Sequence, residues 1–314
     1  MKAHASSFKY DQRYNTMTKN CFFSGCSKLS ICCLASMLAV TLYAAPSLAG
    51  RPFTDAETKA LVEIYAPDGY ERAYLKKIFS DPRVSYVPTL VRMLVIPPDF
   101  SANYERFTRK AEIDRTRTFS TTWQTCLKTT ENTYGVDQSI IVAIVLIETS
   151  LGENLGRSPV LSVFASLLLE NSLHRDAFIR QLDGNDRKDH YLKRLEDKAA
   201  WARVQLNALI NMNMKNAMNV CGLRGSYAGA FGIAQFLPTS YLNWAKSEND
   251  ERPPDLFYMP DAIISVANFL KEHGWRPGLT HEEKCKVIWH YNRSIVYIDT
   301  VLAVAGQLTE NAEQ

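Results

Sequence analysis

The sequence has little with which to hold a metal or to clamp itself with disulfides. It carries seven cysteines in 314 residues, and four of them (Cys21, Cys26, Cys32, Cys33) crowd near the start. The other three, Cys126, Cys221 and Cys285, are far apart and form no close pairs with histidine, which excludes a zinc cluster. One disulfide and one free thiol would suit an oxidising compartment, but spacing selects no pairing. No apolar run after residue 50 is long enough to span a membrane. Repeats and low-complexity tracts are absent, as is any alternating strand pattern longer than a few residues. A charge excess is missing as well. The chain is +3 overall, but five of its 36 basic residues (Lys2, Lys9, Arg13, Lys19, Lys28) and one of its 33 acidic residues (Asp11) precede residue 50. The remainder holds 31 basic and 32 acidic residues, so the balance gives no argument for nucleic acid or an anionic membrane surface.

Those early residues read as an export leader. Lys19 and Lys28 precede an apolar, small-residue run over 29–45, and Ser47-Leu48-Ala49 places small residues where signal peptidase needs them. The expectation is a signal peptide over 1–49, cleavage after Ala49, and a periplasmic product; Met17 is a second candidate start. Ile31 before Cys32 is too bulky for a lipoprotein site, which argues against lipid anchoring. Two further regions follow: an N-terminal helical segment over 50–100 and a larger domain over 101–314.

The periodicity is helical almost throughout. Thr54-Asp55-Ala56-Glu57 is a capping box that opens the first helix. Helices are predicted over 70–79, 104–131, 160–182, 187–218, 238–246, 260–274, 282–291 and 295–307. Asp137 reads as the N-cap of one more, over 138–150. The short apolar stretch 89–96 between two proline breaks supports no assignment.

The helix after Asp137 is the unusual one. Residues 140–147 are apolar without a break, and Glu148 follows at once. A helix apolar all round is buried, and a carboxyl at its end is poorly solvated, which raises its pKa and suits it to general acid work. A helix-end cap or surface ion pair is the plainer reading of this run alone. The Gly-rich loop 222–232 follows, with Ser226 in it and Gln235 just after it as hydrogen-bonding groups, and Tyr227, Phe236 and Tyr241 as flat faces for sugar rings or as core. A structural role for Gln235 is the less favoured one, because a buried amide needs partners of its own.

Four stretches in order carry a resemblance. They are Glu148-Thr-Ser-Leu-Gly152, Gly225-Ser-Tyr-Ala-Gly-Ala-Phe-Gly-Ile-Ala-Gln-Phe-Leu-Pro-Thr-Ser-Tyr241, the 261–270 segment with His273-Gly-Trp275, and Tyr291-Asn-Arg-Ser294 with Tyr297. Together they resemble the lytic murein transglycosylase B family of bacterial cell-wall enzymes, over about 104–302. The resemblance implies a mainly α, lysozyme-like transglycosylase fold with a deep substrate cleft. It implies cleavage of the β-1,4 bond between N-acetylmuramic acid and N-acetylglucosamine, leaving 1,6-anhydro ends. Glu148 would be acid and then base, without a cofactor. Ser226, Gln235, Tyr291, Asn292, Tyr297 and, in a looser alignment, Tyr104 would contact the glycan strand; Arg175 would meet lactyl or peptide carboxylates. Peptidoglycan strands are the implied partner, with cell-wall machinery proteins as further partners.

Two departures stand out. Phe269 replaces a tyrosine that the family often has. The segment 248–257, where many relatives carry a calcium loop, has two prolines, no glycine and no alternating ligands, so no metal is expected. Two alternatives stay open: a muramidase of the same fold that uses water, and a non-catalytic peptidoglycan-binding protein.

Overall fold

Helix α1 (Asp55–Tyr65) begins at its capping box. Thr54 Oγ1 accepts from Glu57 N–H at 3.2 Å, and Glu57 Oε2 accepts from Thr54 N–H at 2.7 Å. The computed structural model describes residues 50–97, 103–216, 218–249 and 251–310; the leader expected over 1–49 lies outside them. Helix α2 (Arg72–Phe79) follows, and α3 (Pro88–Val95) fills the apolar stretch between the proline breaks. Pro88 stands in its first turn, where a missing N–H costs nothing.

The helix expected over 104–131 is three pieces: a 3-10 turn (Tyr104–Thr108), α4 (Lys110–Thr122) and α5 (Gln124–Tyr134). The hydroxyls of Thr116, Thr118, Ser120, Thr121 and Thr122 all bond back to carbonyls four residues earlier, at 2.6–3.1 Å. Such back-bonding bends helices, and this one breaks at Trp123. The helix expected over 160–182 divides likewise into α7 (Val160–Asn171) and α8 (Arg175–Gln181). The Ser172 hydroxyl donates to Leu168 O at 2.8 Å at the break.

Helix α6 (Gln138–Thr149) is the centre of the molecule, with residues 140–147 no more than 2 % exposed. Asp137 holds the N-cap position but makes no cap hydrogen bond; its carboxylate pairs with Lys284 Nζ at 3.0 Å. Glu131 does that work instead, accepting from Gln138 N–H at 3.1 Å. The long α9 (Lys188–Asn216) lies on α7, and a two-residue antiparallel bridge joins β1 (Ser158–Pro159) to β2 (Arg224–Gly225). Four helices complete the described chain: α10 (Pro238–Trp244), α11 (Met259–Glu272), α12 (His281–Tyr291) and α13 (Ile295–Thr309). Helix α13 runs along α6, and α11 packs on α5 and α6. Among the described residues no helix is long and apolar enough to cross a membrane. Cys126, Cys221 and Cys285 are all free thiols.

The N-terminal segment is pinned to α7 by buried polar contacts. Ser162 and Ser166 hydroxyls accept from Ser85 and Val87 N–H, each at 2.9 Å, and the Tyr86 hydroxyl donates to Glu170. Glu57, 1 % exposed, accepts from Arg51 Nη1 at 2.7 Å and lies 2.6 Å from His174 Nε2. Burial would raise its pKa, but the hydrogen bonds from Arg51, Thr54 and His174 outweigh burial and hold it down to about 2.

That depressed pKa fixes a pH dependence. The carboxylate's contribution is complete above the ordinary carboxyl value and drains away as pH falls from about 4.5 towards about 2. Glu57→Gln, which breaks the buried pair, should destabilise the protein by roughly 3 kcal/mol at neutral pH. Its deficit against the parent should shrink over that acid window in pH-dependent denaturant melts. A deficit unchanged between pH 5 and 2.5 would show that the pair is not what holds the segment.

Candidate active site

Glu148 is the penultimate residue of α6, directly after the buried apolar run, and as a residue it is half-buried. Burial pushes its pKa up to about 7, and the one hydrogen bond opposing that rise comes from Tyr297, whose hydroxyl donates to Oε1 at 2.7 Å. No charged group contributes to the shift. Glu153, the next carboxylate along the chain, is largely exposed and paired with Arg115 at 3.0 Å. A lone carboxyl titrating near neutrality, with a neutral donor beside it, can give up a proton and take one back.

The turn after Glu148 is tightly held. Ser150, Leu151 and Gly152 all adopt left-handed backbone, with φ of 51°, 66° and 92°. Two of these are side-chain-bearing residues in a conformation that costs each of them about 1–3 kcal/mol, so neighbours must fix it. The Thr149 hydroxyl donates to Ile233 O at 3.2 Å and accepts from Gly152 N–H at 3.0 Å. Arg115 Nη2 donates to Ser150 O at 3.2 Å. Thr149 and Arg115 carried no signal in the sequence, because their roles depend on segments far away along the chain.

The 225–236 loop folds on itself through bridges from Phe231 to Gly225 and to Phe236. Gly225 is obligatory: a Cβ there would sit 2.0 Å from Ala230 O. Ser226 Oγ accepts from Ala230 N–H at 3.1 Å, so it shapes the loop while its own O–H stays available to donate. Gln235, left-handed at φ 47°, donates from Nε2 to Gly232 O at 2.8 Å and to Leu155 O at 3.3 Å. That finds partners for the amide which sequence reasoning did not foresee, and it makes Gln235 the tie between this loop and the turn after Glu148. Phe236 and Tyr241 belong to the core, and the Tyr241 hydroxyl donates to Pro254 O at 2.7 Å. Tyr227 is half-buried.

The third side comes from α12 and α13. Tyr291 donates to Ala234 O at 2.5 Å, and burial raises its pKa well above the ordinary phenol value, as it does for Tyr297. Asn292 is 8 % exposed, and its Oδ1 is buried without a protein partner. A buried orphan acceptor is costly, so a water or a ligand group must supply the donor. Tyr104 meets Tyr297 edge-on, with ring centroids 6.4 Å apart. Contacts within this group therefore join Glu148, Tyr297 and Tyr104, and link Tyr291 and Gln235 to the same loop. Arg175 bonds Asn171 at 2.7 Å and pairs with Glu196 at 2.6 Å, on α7 and α9.

Residues 54–285 match the family described as Transglycosylase SLT domain. Over 145 residues the chain is 32% identical to the membrane-bound lytic murein transglycosylase B of Escherichia coli K12; the match takes in 46% of this chain and 34% of that protein, about a third of its length. Two solved structures from Pseudomonas aeruginosa share the fold. The soluble lytic transglycosylase SltB1 superposes with a TM-score of 0.65 at 22% identity, over 82% of this chain and 100% of that one. SltB3 in complex with NAG-NAM-pentapeptide does so with a TM-score of 0.62 at 17% identity, over 81% and 79%. The lysozyme-like, mainly helical class is thereby met.

The Glu148–Tyr297 contact can be tested without any substrate. Removing the hydroxyl in Tyr297→Phe deletes the one bond that favours the carboxylate, so the Glu148 titration seen by carbon NMR should move above its parental value. A downward move, or none, would mean that the two groups are not bonded in solution.

Proposed function

The chain belongs to the Transglycosylase SLT domain family, and we propose that it is a periplasmic lytic transglycosylase that cleaves peptidoglycan strands with Glu148 as its single acid and base. The observation that carries this reading is the isolation of Glu148: a carboxyl raised to about 7 by burial, touched by a tyrosine hydroxyl and influenced by no second carboxylate. Ordinary glycosidases pair two carboxylates about 5–9.5 Å apart, and each then shifts the other's proton affinity. With one carboxyl the protein offers no second carboxylate as nucleophile, and in this reading the substrate supplies the attacking oxygen. In this reading Glu148 protonates the glycosidic oxygen. The carboxylate, steadied by the Tyr297 hydroxyl, then takes the proton from the muramic acid C6 hydroxyl as that oxygen closes on C1, forming the 1,6-anhydro end.

The other roles follow the contacts. Asn292 Oδ1 accepts from a sugar N–H or O–H, and the Ser226 hydroxyl donates to a sugar acetamido or ring oxygen. Gln235 and Tyr291 hold the loop that bears on the glycan. Tyr104 acts through Tyr297. Export to the periplasm follows the leader expected over 1–49.

The calcium ion that the resemblance would bring does not fit the described residues of the 248–257 loop, 248–249 and 251–257. The anchor there is Asp261, wholly buried, and donors already occupy both its oxygens. Oδ1 accepts from Glu248 N–H and Arg252 Nη2, each at 2.8 Å. Oδ2 accepts from Arg252 Nη1 at 2.6 Å and Asp255 N–H at 2.7 Å. The Arg252 guanidinium supplies the positive charge that a cation would otherwise bring. Melting temperature should accordingly be the same in calcium and in chelator, whereas Arg252→Met, which strands the buried Asp261 charge, should lower it. Calcium-dependent melting of the parent would show that the ion displaces the arginine.

Product analysis decides the main proposal. Purified sacculi digested with the protein should release 1,6-anhydro-muropeptides by mass spectrometry, and Glu148→Gln should release them at least about 10²-fold more slowly. Reducing-end products would identify a water-using muramidase instead. Binding without products in the parent would leave a wall-binding protein.

A further inference from the structure

Arginines gather at the far end of the turn that follows Glu148, where none has been assigned a role. A cavity of about 430 Å³ lies between the N-terminal segment and the β1–β2 bridge, and Arg83, Arg157, Arg224, Pro52, Ser85 and Pro159 are among the residues that line it. Arg83 is neutralised: Nε and Nη2 grip Asp81 at 2.8 and 2.6 Å. Arg157 and Arg224 are exposed, and no carboxylate among the described residues pairs with either. Two guanidinium groups without an ion pair therefore share one concavity, although Arg224 also borders a neighbouring cavity lined by Asp255.

The scaffold under them is rigid. Ser158 pairs with Gly225 and Pro159 with Arg224 across the bridge, so both arginines project from adjoining, cross-bonded backbone. Gly156 packs so closely on Gly225 that a Cβ there would fall 2.2 Å from Gly225 O. Like charges placed side by side oppose folding slightly, so stability gives no reason for this arrangement. A concave, singly charged lining does concentrate anions, and the guanidinium fork matches a carboxylate through two parallel hydrogen bonds.

We propose that this cavity binds a carboxylate of the peptide stem carried by the glycan strand, through Arg157 and Arg224, an inference that rests on the peptidoglycan reading above. The reach is sufficient. Asn154 N–H donates to Thr149 O at 2.9 Å, so the turn returns to the residue beside Glu148 before the chain runs on three residues to Arg157. Three extended residues span at most about 11 Å, and a five-residue stem about 17 Å. A stem leaving a muramic ring held at Glu148 can thus meet the arginine side chains. Arg224 lies two residues before Ser226, so the strand's sugars and its stem would be read from the two ends of one segment.

The experiment compares the parent full chain with the Arg157→Ala, Arg224→Ala double variant on strands bearing pentapeptide stems and on the same strands after an amidase has stripped the stems. Both side chains are exposed, and a melting curve checks that the variant folds. Charge-assisted hydrogen bonds contribute about 1.5–3 kcal/mol each, so KM for stem-bearing strands should rise about tenfold or more. The kcat/KM preference of the parent for those strands should largely disappear in the variant. An unchanged preference, or the same loss on stripped strands, overturns the proposal. A calorimetric arm separates it from the catalytic reading: free stem pentapeptide should bind the parent, and both its C-terminally amidated form and the double variant should bind more weakly. Inorganic phosphate binding as tightly as the peptide would reveal an unselective anion site and overturn the proposal too. If the arginine-dependent peptide binding holds while no strand is cut, the catalytic reading fails and the stem site stands.

Discussion

The structure turns on the desolvation of one carboxyl. Helix α6 is apolar on every side because it fills the middle of the fold, and a helix of that kind cannot end on a charged residue without cost. Glu148 meets this cost by holding its proton to about pH 7, and Tyr297 offsets part of it by donating a hydrogen bond. The surroundings comply with that arrangement. Helix α13 runs along α6 so that Tyr297 can reach Oε1, and the left-handed turn at Ser150–Gly152 leads the chain away immediately, with Thr149 and Arg115 restraining it. Strain in that turn and a displaced pKa belong to the same site. Both persist because the packing around them leaves no alternative arrangement.

Elsewhere the fold solves a related difficulty, how to bury polar groups without orphans, and it does so mostly with side chains that meet backbone. Ser162 and Ser166 on α7 accept the N–H groups of the 85–87 segment. Asp261, Ser265 and Asn268 lie on one face of α11 and hold the backbone of Trp244, Lys246, Glu248 and Asp255. Each such bond fixes a long-range register, since a slip would leave a buried donor or acceptor unmet. Among the described residues Arg106 Nε, Trp275 Nε1 and Asn292 Oδ1 stand apart from this scheme as buried polar atoms with no protein partner.

Much of this could be read from the sequence, and the parts that could not share a cause. The unbroken apolar run 140–147 announced a buried helix, and its sudden end at Glu148 announced a perturbed carboxyl; both are intrinsic to one segment. The Thr54 capping box was equally local. The long helices expected over 104–131 and 160–182 failed because apolar periodicity continues across Trp123 and Ser172, while hydroxyl back-bonding interrupts the backbone beneath it. Asp137 occupied a cap position whose bond was supplied by Glu131 from the preceding helix. The resemblance implies lactyl or peptide carboxylates for Arg175; the carboxylate it pairs with within the fold, Glu196, depends on how α9 crosses α7. A structural role for Gln235 is the less favoured reading of the sequence, yet its amide bonds Gly232 O within its own loop and Leu155 O, which only the folded chain brings near. Contacts between distant segments escape pattern reading even when both segments are assigned correctly.

The replacement of a familiar tyrosine by Phe269 is consistent with the packing around it. Phe269 is 5 % exposed and sits inside an aromatic group: His273 stacks on it at 4.1 Å, Trp244 and Tyr291 meet it edge-on at 4.9 Å, and Phe236 lies 5.7 Å away. A hydroxyl on a ring so enclosed would need its own acceptor, and a ring without one needs none. The phenyl ring keeps the contact with Tyr291, and Tyr291 in turn fixes the 225–236 loop through Ala234 O. The substitution thus gives up a polar group while preserving the mechanical connection from α11 to the loop beside Glu148. By the same logic Trp244 and His273, half-buried at the rim of this group, form a firm edge to it, since their ring contacts with Phe269 allow them little rotamer freedom.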